Sequence, residues 1–168
     1  MFHLYTDDAR RVLSVAQRHA KRLHREAVGI EHLLLALIEY GRGPAEEAFF
    51  ALDITPGEAW TQFESLAGGP PVDPGADDSP MSLPYTPGAS HALGLMLEEK
   101  RRMGHDYLGA EHLLLAVLRH IDNSWAEPEP AADLLERLGV DLRKLRQEVL
   151  CRVSTEPERR RVQGQRIP

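Results

Sequence analysis

The sequence predicts an all-α protein of eight helices, arranged as two four-helix units related by a pseudo-twofold axis. Two observations carry this. The word Gly29-Ile30-Glu31-His32-Leu33-Leu34-Leu35-Ala36 returns as Gly109-Ala110-Glu111-His112-Leu113-Leu114-Leu115-Ala116, at a constant offset of 80 positions. Leu and Ala dominate the apolar residues, aromatics are few and β-branched runs are absent, a composition that favours helix.

Thr6 followed by Asp7 and Asp8 reads as a helix start, with the Thr hydroxyl as cap and the acids at the positive end of the dipole. Ala9, Val12, Leu13, Ala16, Ala20 and Leu23 then form one apolar stripe. Arg10, Arg11, Arg18, Lys21, Arg22 and Arg25 fall mostly on the other faces, as a solvated basic surface. Gly29 breaks the pattern and Glu31 opens a second helix that is apolar nearly all round, which implies burial on most sides. Pro44 suits the first position of a third helix, and Thr55-Pro56-Gly57-Glu58 caps a fourth carrying Trp60, Phe63 and Leu66.

Residues 1–67 thus form the first unit, and the Pro- and Gly-rich stretch 68–84 is a linker. Residues 85–153 repeat the pattern from Thr86-Pro87 onward. The copies diverge at Asp122–Pro130, where about six residues are inserted, so that Leu138 matches Leu52 at an offset of 86. The last two helices are expected at Ala131–Leu138 and Asp141–Val153, followed by a basic, disordered tail over 154–168.

Composition narrows the function. A formal charge of −6 argues against a general nucleic-acid binder. No signal peptide is visible, and the longest apolar run, near Leu33–Ile38, falls short of the ~20 residues of a membrane span. A single cysteine, Cys151, fits a reducing compartment. The expectation is a cytoplasmic protein without cofactor. Neither a phosphate-binding Gly-x-x-x-x-Gly-Lys-Ser/Thr loop nor a Gly-x-Ser-x-Gly elbow is present, so no catalytic residue is assigned. Cys151 reads as an ordinary half-buried thiol. His32 and His112 each follow a Glu at a helix start and read as local hydrogen-bonding groups, not as metal ligands.

Six residues are candidates for binding. Glu31 and Glu111 sit where the helix dipole favours a carboxylate, and two repeat-related carboxylates can also receive a cationic side chain such as a guanidinium. Phe2 and Tyr85, with Tyr5, either staple the helix entries or wall an apolar groove between the copies. Thr6 and Thr86 complete the set as caps.

The tandem Gly-x-Glu-His-Leu-Leu, with Phe2, Thr6-Asp7-x-Ala9-Arg10-Arg11-Val12-Leu13 and Tyr85-Thr86-Pro87-x-Ala89, resembles the double Clp N-terminal repeat domain of ClpC-like unfoldases. The resemblance covers nearly the whole chain and implies two four-helix Clp N repeats that dock adaptors and unfolding substrates. Partners would be a Clp-type AAA+ unfoldase, its adaptors or its protein substrates, with no nucleic acid and no membrane. It also implies recognition of phosphorylated arginine, with Glu31 and Glu111 on the guanidinium and residues near Thr6 and Thr86 on the phosphate. The ATPase modules are missing, so the chain stands either alone or as part of a longer protein. Pro87-Gly88-Ala89-Ser90-His91 stands where ClpC-like copies tend to carry Arg and Lys. The alternative is a sensor of a peptide or small, phosphoarginine-like ligand outside proteolysis.

Overall fold

The computed structural model describes residues 4–68, 82–124 and 129–163. Eight helices run α1 (Asp7–Arg22), α2 (Ile30–Tyr40), α3 (Pro44–Ala51), α4 (Pro56–Ala67), α5 (Pro87–Met103), α6 (Ala110–Asn123), α7 (Pro130–Arg137) and α8 (Leu142–Gln163). No strand occurs among the described residues.

The starts follow the capping chemistry. Thr6 Oγ1 accepts the Ala9 N–H and Thr86 Oγ1 the Ala89 N–H, both at 3.2 Å. Thr55 caps α4, and Asp141, its counterpart at the offset of 86, caps α8 through the N–H groups of Arg143 and Lys144. Pro occupies the first turn of α3, α4, α5 and α7, where its missing N–H leaves no helical bond unmade. α8 does not stop at Val153 but runs to Gln163. Glu and Arg residues, which are good helix formers, predominate beyond Val153.

α2 and α6 lie at the centre. Leu33, Leu34, Leu35, Leu37 and their counterparts Leu113, Leu114 and Leu115 are fully buried. α1 packs on α2 and α5 on α6, as two copies of one pair, and α2 touches α6. Beyond that the copies interlock. α3 of the first packs on α8 of the second, and α4 on α7. α2 also meets α5 and α7, while α6 meets α1 and α3, so each contact across the repeat boundary has its mirror image. The sequence boundary between repeats is therefore not a boundary in space. No helix among the described residues is long and apolar enough to cross a membrane.

The most informative connections are four backbone hydrogen bonds. Val28 N–H donates to Pro84 O at 2.8 Å, and Thr86 N–H to Val28 O at 2.9 Å. One offset away, Leu108 N–H donates to Leu4 O at 2.7 Å, and Thr6 N–H to Leu108 O at 2.9 Å. Each pair forms a short parallel bridge, Val28 with Tyr85 and Tyr5 with Leu108. The extended segment that leads into the first helix of one repeat is thus laid against the start of the second helix of the other. Gln17 fastens the same arm, donating to Leu83 O at 3.0 Å and accepting the Leu83 N–H at 2.9 Å.

Candidate functional site

Both repeated helices begin at a glycine N-cap in extended conformation, φ −95° at Gly29 and −103° at Gly109. Any residue adopts that backbone, so a mere break in the helical pattern does not explain the glycine. The reason is space. A Cβ built on Gly29 would fall inside the Glu31 carboxylate, and one on Gly109 inside that of Glu111. Each Glu folds back over its own helix start, where the dipole favours negative charge.

The next residue completes the cap. His32 Nδ1 accepts the Gly29 N–H and His112 Nδ1 the Gly109 N–H, both at 2.9 Å. This is the part that Glu or Gln plays at the third position of a capping box, here taken by imidazole. Both rings are buried. Burial, then the nearby Arg25 charge, pulls the His32 pKa down to about 4. Glu31 is 19% exposed at its side chain and Glu111 only 5%. Burial pushes the Glu31 carboxyl up, its own backbone N–H opposes that, Glu129 adds to the rise and Arg25 opposes it.

The six predicted residues are distributed crosswise. The Val28–Tyr85 bridge sets Tyr85 and Thr86 beside the helix start that carries Glu31. The Tyr5–Leu108 bridge sets Tyr5 and Thr6 beside the start that carries Glu111. Each carboxylate-bearing helix start therefore lies beside the extended segment that ends in the threonine of the other copy. Tyr5 is half-buried, and burial, with Tyr85 as the second influence, raises its phenol pKa. Phe2 lies outside the described residues.

Several neighbours were not singled out by sequence. Around Glu111, His105 stacks on Tyr107 with ring centroids 4.9 Å apart and planes at 13°. The corresponding first-copy residues are Arg25 and Ala27. Ligand atoms of His105, Glu111 and His112 lie within 4.8 Å of one another. Their hydrogen bonds do not suit a metal. His112 Nδ1 accepts from Gly109, so the proton of the neutral ring sits on Nε2, and from there it is donated to His105 Nδ1 at 2.8 Å. The lone pair a metal would need is absent. On the α5 side, His120 Nε2 meets Glu129 Oε1 at 3.0 Å and Ser124 Oγ at 3.1 Å, while its Nδ1 meets His91 Nδ1 at 3.0 Å. Glu129 ends the inserted loop, and its counterpart at the offset of 86 is Gly43, which has no side chain to flag it. Cys151 lies exposed on α8, not half-buried.

A family model for the Clp repeat (R) N-terminal domain matches residues 4–127. The negative regulator of genetic competence ClpC/MecB of Bacillus subtilis is 37% identical over 150 residues, which span 89% of this chain and 17% of that protein. The chloroplastic chaperone protein ClpC1 of Arabidopsis thaliana is 36% identical over 158 residues, 94% of this chain and 16% of that protein. The chain thus spans about a sixth of the curated relatives it matches. The N-terminal domain of the caseinolytic protease associated chaperone ClpD of Arabidopsis thaliana superposes with a TM-score of 0.73 at 25% identity, over 92% of this chain and 97% of that one. The Hsp104 N-terminal domain of Candida albicans shares the fold, with a TM-score of 0.63 at 17% identity over 87% of this chain and 89% of that one. An all-helical double repeat with both Gly-x-Glu-His helix starts in place, matched by family model and relatives alike, belongs to the Clp N-terminal repeat domain family.

Proposed function

We propose that the chain is a non-enzymatic binding module of the Clp protein-unfolding and proteolysis system. It holds adaptors or substrate proteins for a Clp-type unfoldase, or competes with the unfoldase's own N-terminal domain for them. The observation that carries this is the crossed pair of carboxylates. Each is largely buried, anchored at a helix start and faced by a threonine of the other copy. A buried carboxylate with that geometry suits a guanidinium, which it can meet in a bidentate hydrogen-bonded pair. Each threonine hydroxyl accepts from its own helix and keeps its proton for donation to a ligand oxygen, as a phosphorylated guanidinium would supply.

Calorimetric titration with a ClpC adaptor, and with a denatured substrate protein, tests the reading. Binding that is lost in Glu31→Ala/Glu111→Ala, with the melting temperature held, supports it. Unchanged affinity in the double variant removes the site, and failure of the wild type to bind either protein removes the function. The second reading, a sensor of phosphoarginine-like ligands outside proteolysis, uses the same residues. It is favoured where free phosphoarginine binds and neither protein does.

A further inference from the structure

The two crossed sites share their carboxylate, glycine and threonine, but the helix that faces each carboxylate differs. Glu111 is faced by the start of α1. There Arg10 and Arg11 are exposed. The Arg10 guanidinium is held on Tyr5 O at 3.1 and 3.2 Å, and that of Arg11 lies over the Tyr40 ring, 5.1 Å from its centroid. Glu31 is faced by the start of α5, where the same positions are Ser90 and His91 and the Tyr40 counterpart is His120. Pro87 removes one N–H that Asp7 retains on α1. Above Gly88, at the counterpart of Asp8, the space is taken. A Cβ there would meet His120 Nε2 at 3.0 Å and Glu129 Oε1 at 3.2 Å. The Glu129 carboxylate is fixed in that place by His120, itself buried.

We infer that the two sites differ in ligand class: the Glu111 site admits a phosphorylated guanidinium, whereas Glu129, pinned by His120 over the first turn of α5, closes the Glu31 site to phosphate. The inference rests on the guanidinium reading of both carboxylates and adds the residue that sets specificity. A phosphate bound beside Thr6 meets two arginines. One bound beside Thr86 meets the Glu129 carboxylate over the first turn of the helix, and the two like charges repel. Asp7 and Asp8 do not reproduce this block, since both are exposed at the start of α1 and Asp7 lies 3.9 Å from the Arg10 guanidinium, which offsets its charge.

The test is calorimetry of the full chain with free phosphoarginine. One binding event per chain is expected for the wild type, none for Glu111→Gln and two for Glu129→Ala. Glu129 makes no side-chain cap to α7, so its truncation leaves the helix intact; Glu129→Gln, which keeps the shape and removes the charge, should also give two. Two events in the wild type, one event in both Glu129 variants, or an event that survives Glu111→Gln each overturns the inference. Absence of phosphoarginine binding in every variant, with adaptor binding retained, overturns it through the guanidinium reading while leaving the docking function standing.

Discussion

Mild acid should destabilise this fold through two buried imidazoles. His32 titrates at about 4 and His19 at about 3 in the folded chain. For His19 the causes are burial first, then the charges of His32, Arg22 and Arg18. Unfolded, each ring titrates near about 6.5. Both folded values lie below the unfolded one, so stability is complete above about pH 6.5 and falls as pH drops towards the folded values. At about pH 5 the unfolded chain has taken up nearly a full proton at each ring and the folded chain almost none. The loss relative to about pH 7.5 is then about 2 kcal/mol per ring, about 4 together, and hardly depends on how far below 5 the folded values lie. Glu31 works in the opposite sense, since its raised carboxyl takes up a proton first in the folded state. His19 also pairs with Glu39, its Nε2 lying 3.0 Å from the Glu39 carboxylate. His32 is therefore the cleaner probe. In His32→Gln the amide oxygen can still accept the Gly29 N–H, as in an ordinary capping box, but carries no titrating proton. Urea melts at both pH values should show the variant losing about 2 kcal/mol less than the wild type. Equal losses in the two proteins would show that protonation of His32 is not resisted by its cap and would refute this origin of the acid sensitivity.

Other outcomes follow from the same structure. Leu34→Ala and Leu114→Ala, both fully buried on the central helices, should each cost about 2–5 kcal/mol by urea unfolding. Thr6→Ala and Thr86→Ala should each cost about 1 kcal/mol through the lost cap, so a binding defect in either must exceed what a melt accounts for. His24 and Asp53 hold positive φ, 51° and 55°, where the second copy has Gly104 and Gly139. His24→Gly and Asp53→Gly should each stabilise by about 0.5–1 kcal/mol, the relief of left-handed strain less the added freedom of glycine when unfolded; a lower melting temperature would contradict this. Gly29→Ala should change stability by less than about 1 kcal/mol, because the backbone there tolerates alanine, yet weaken adaptor binding by displacing the Glu31 carboxylate; Gly109→Ala should likewise displace Glu111 and weaken phosphoarginine binding. Undiminished affinity at both glycines would argue that the folded-back carboxylates are not the receptor.

Much of the fold is legible because capping chemistry is local. Thr6, Thr55 and Thr86 announce helix starts whatever lies around them, and the periodic Leu and Ala set the central helices. The role of Gly29 and Gly109 is not legible, since the sequence shows a helix breaker while the structure shows room for a carboxylate. Nor is the crossing of the sites. It is made by backbone groups of residues such as Leu4, Val28, Pro84 and Leu108, and backbone hydrogen bonds leave no side-chain signature. The pairing of Glu39 with His19 likewise reappears in altered form at the same positions of the second copy. There Arg119 meets the buried Glu99 at 3.2 Å, with the charges exchanged between the helices. A repeat search that scores identity passes over such a pair, although the packing demand is the same. Glu129 is hidden for a third reason: its counterpart at the offset of 86 is Gly43, which has no side chain, so a comparison of the copies gives no signal there.

The crossed bridges also constrain the order of assembly. During synthesis the first four helices emerge before their counterparts, but Val28 lacks its hydrogen-bond partners until Pro84 and Thr86 are available, and Thr6 waits for Leu108. The bridging segments of the first half must stay unpaired until the linker and the early part of the second unit, as far as Leu108, are made. Closing these long-range contacts is an entropically late event. Two separate half-chains carry the complementary arms in full, so a break within the linker is compatible with reassociation of the halves, or with exchange of halves between two molecules. Neither half alone can complete a single site.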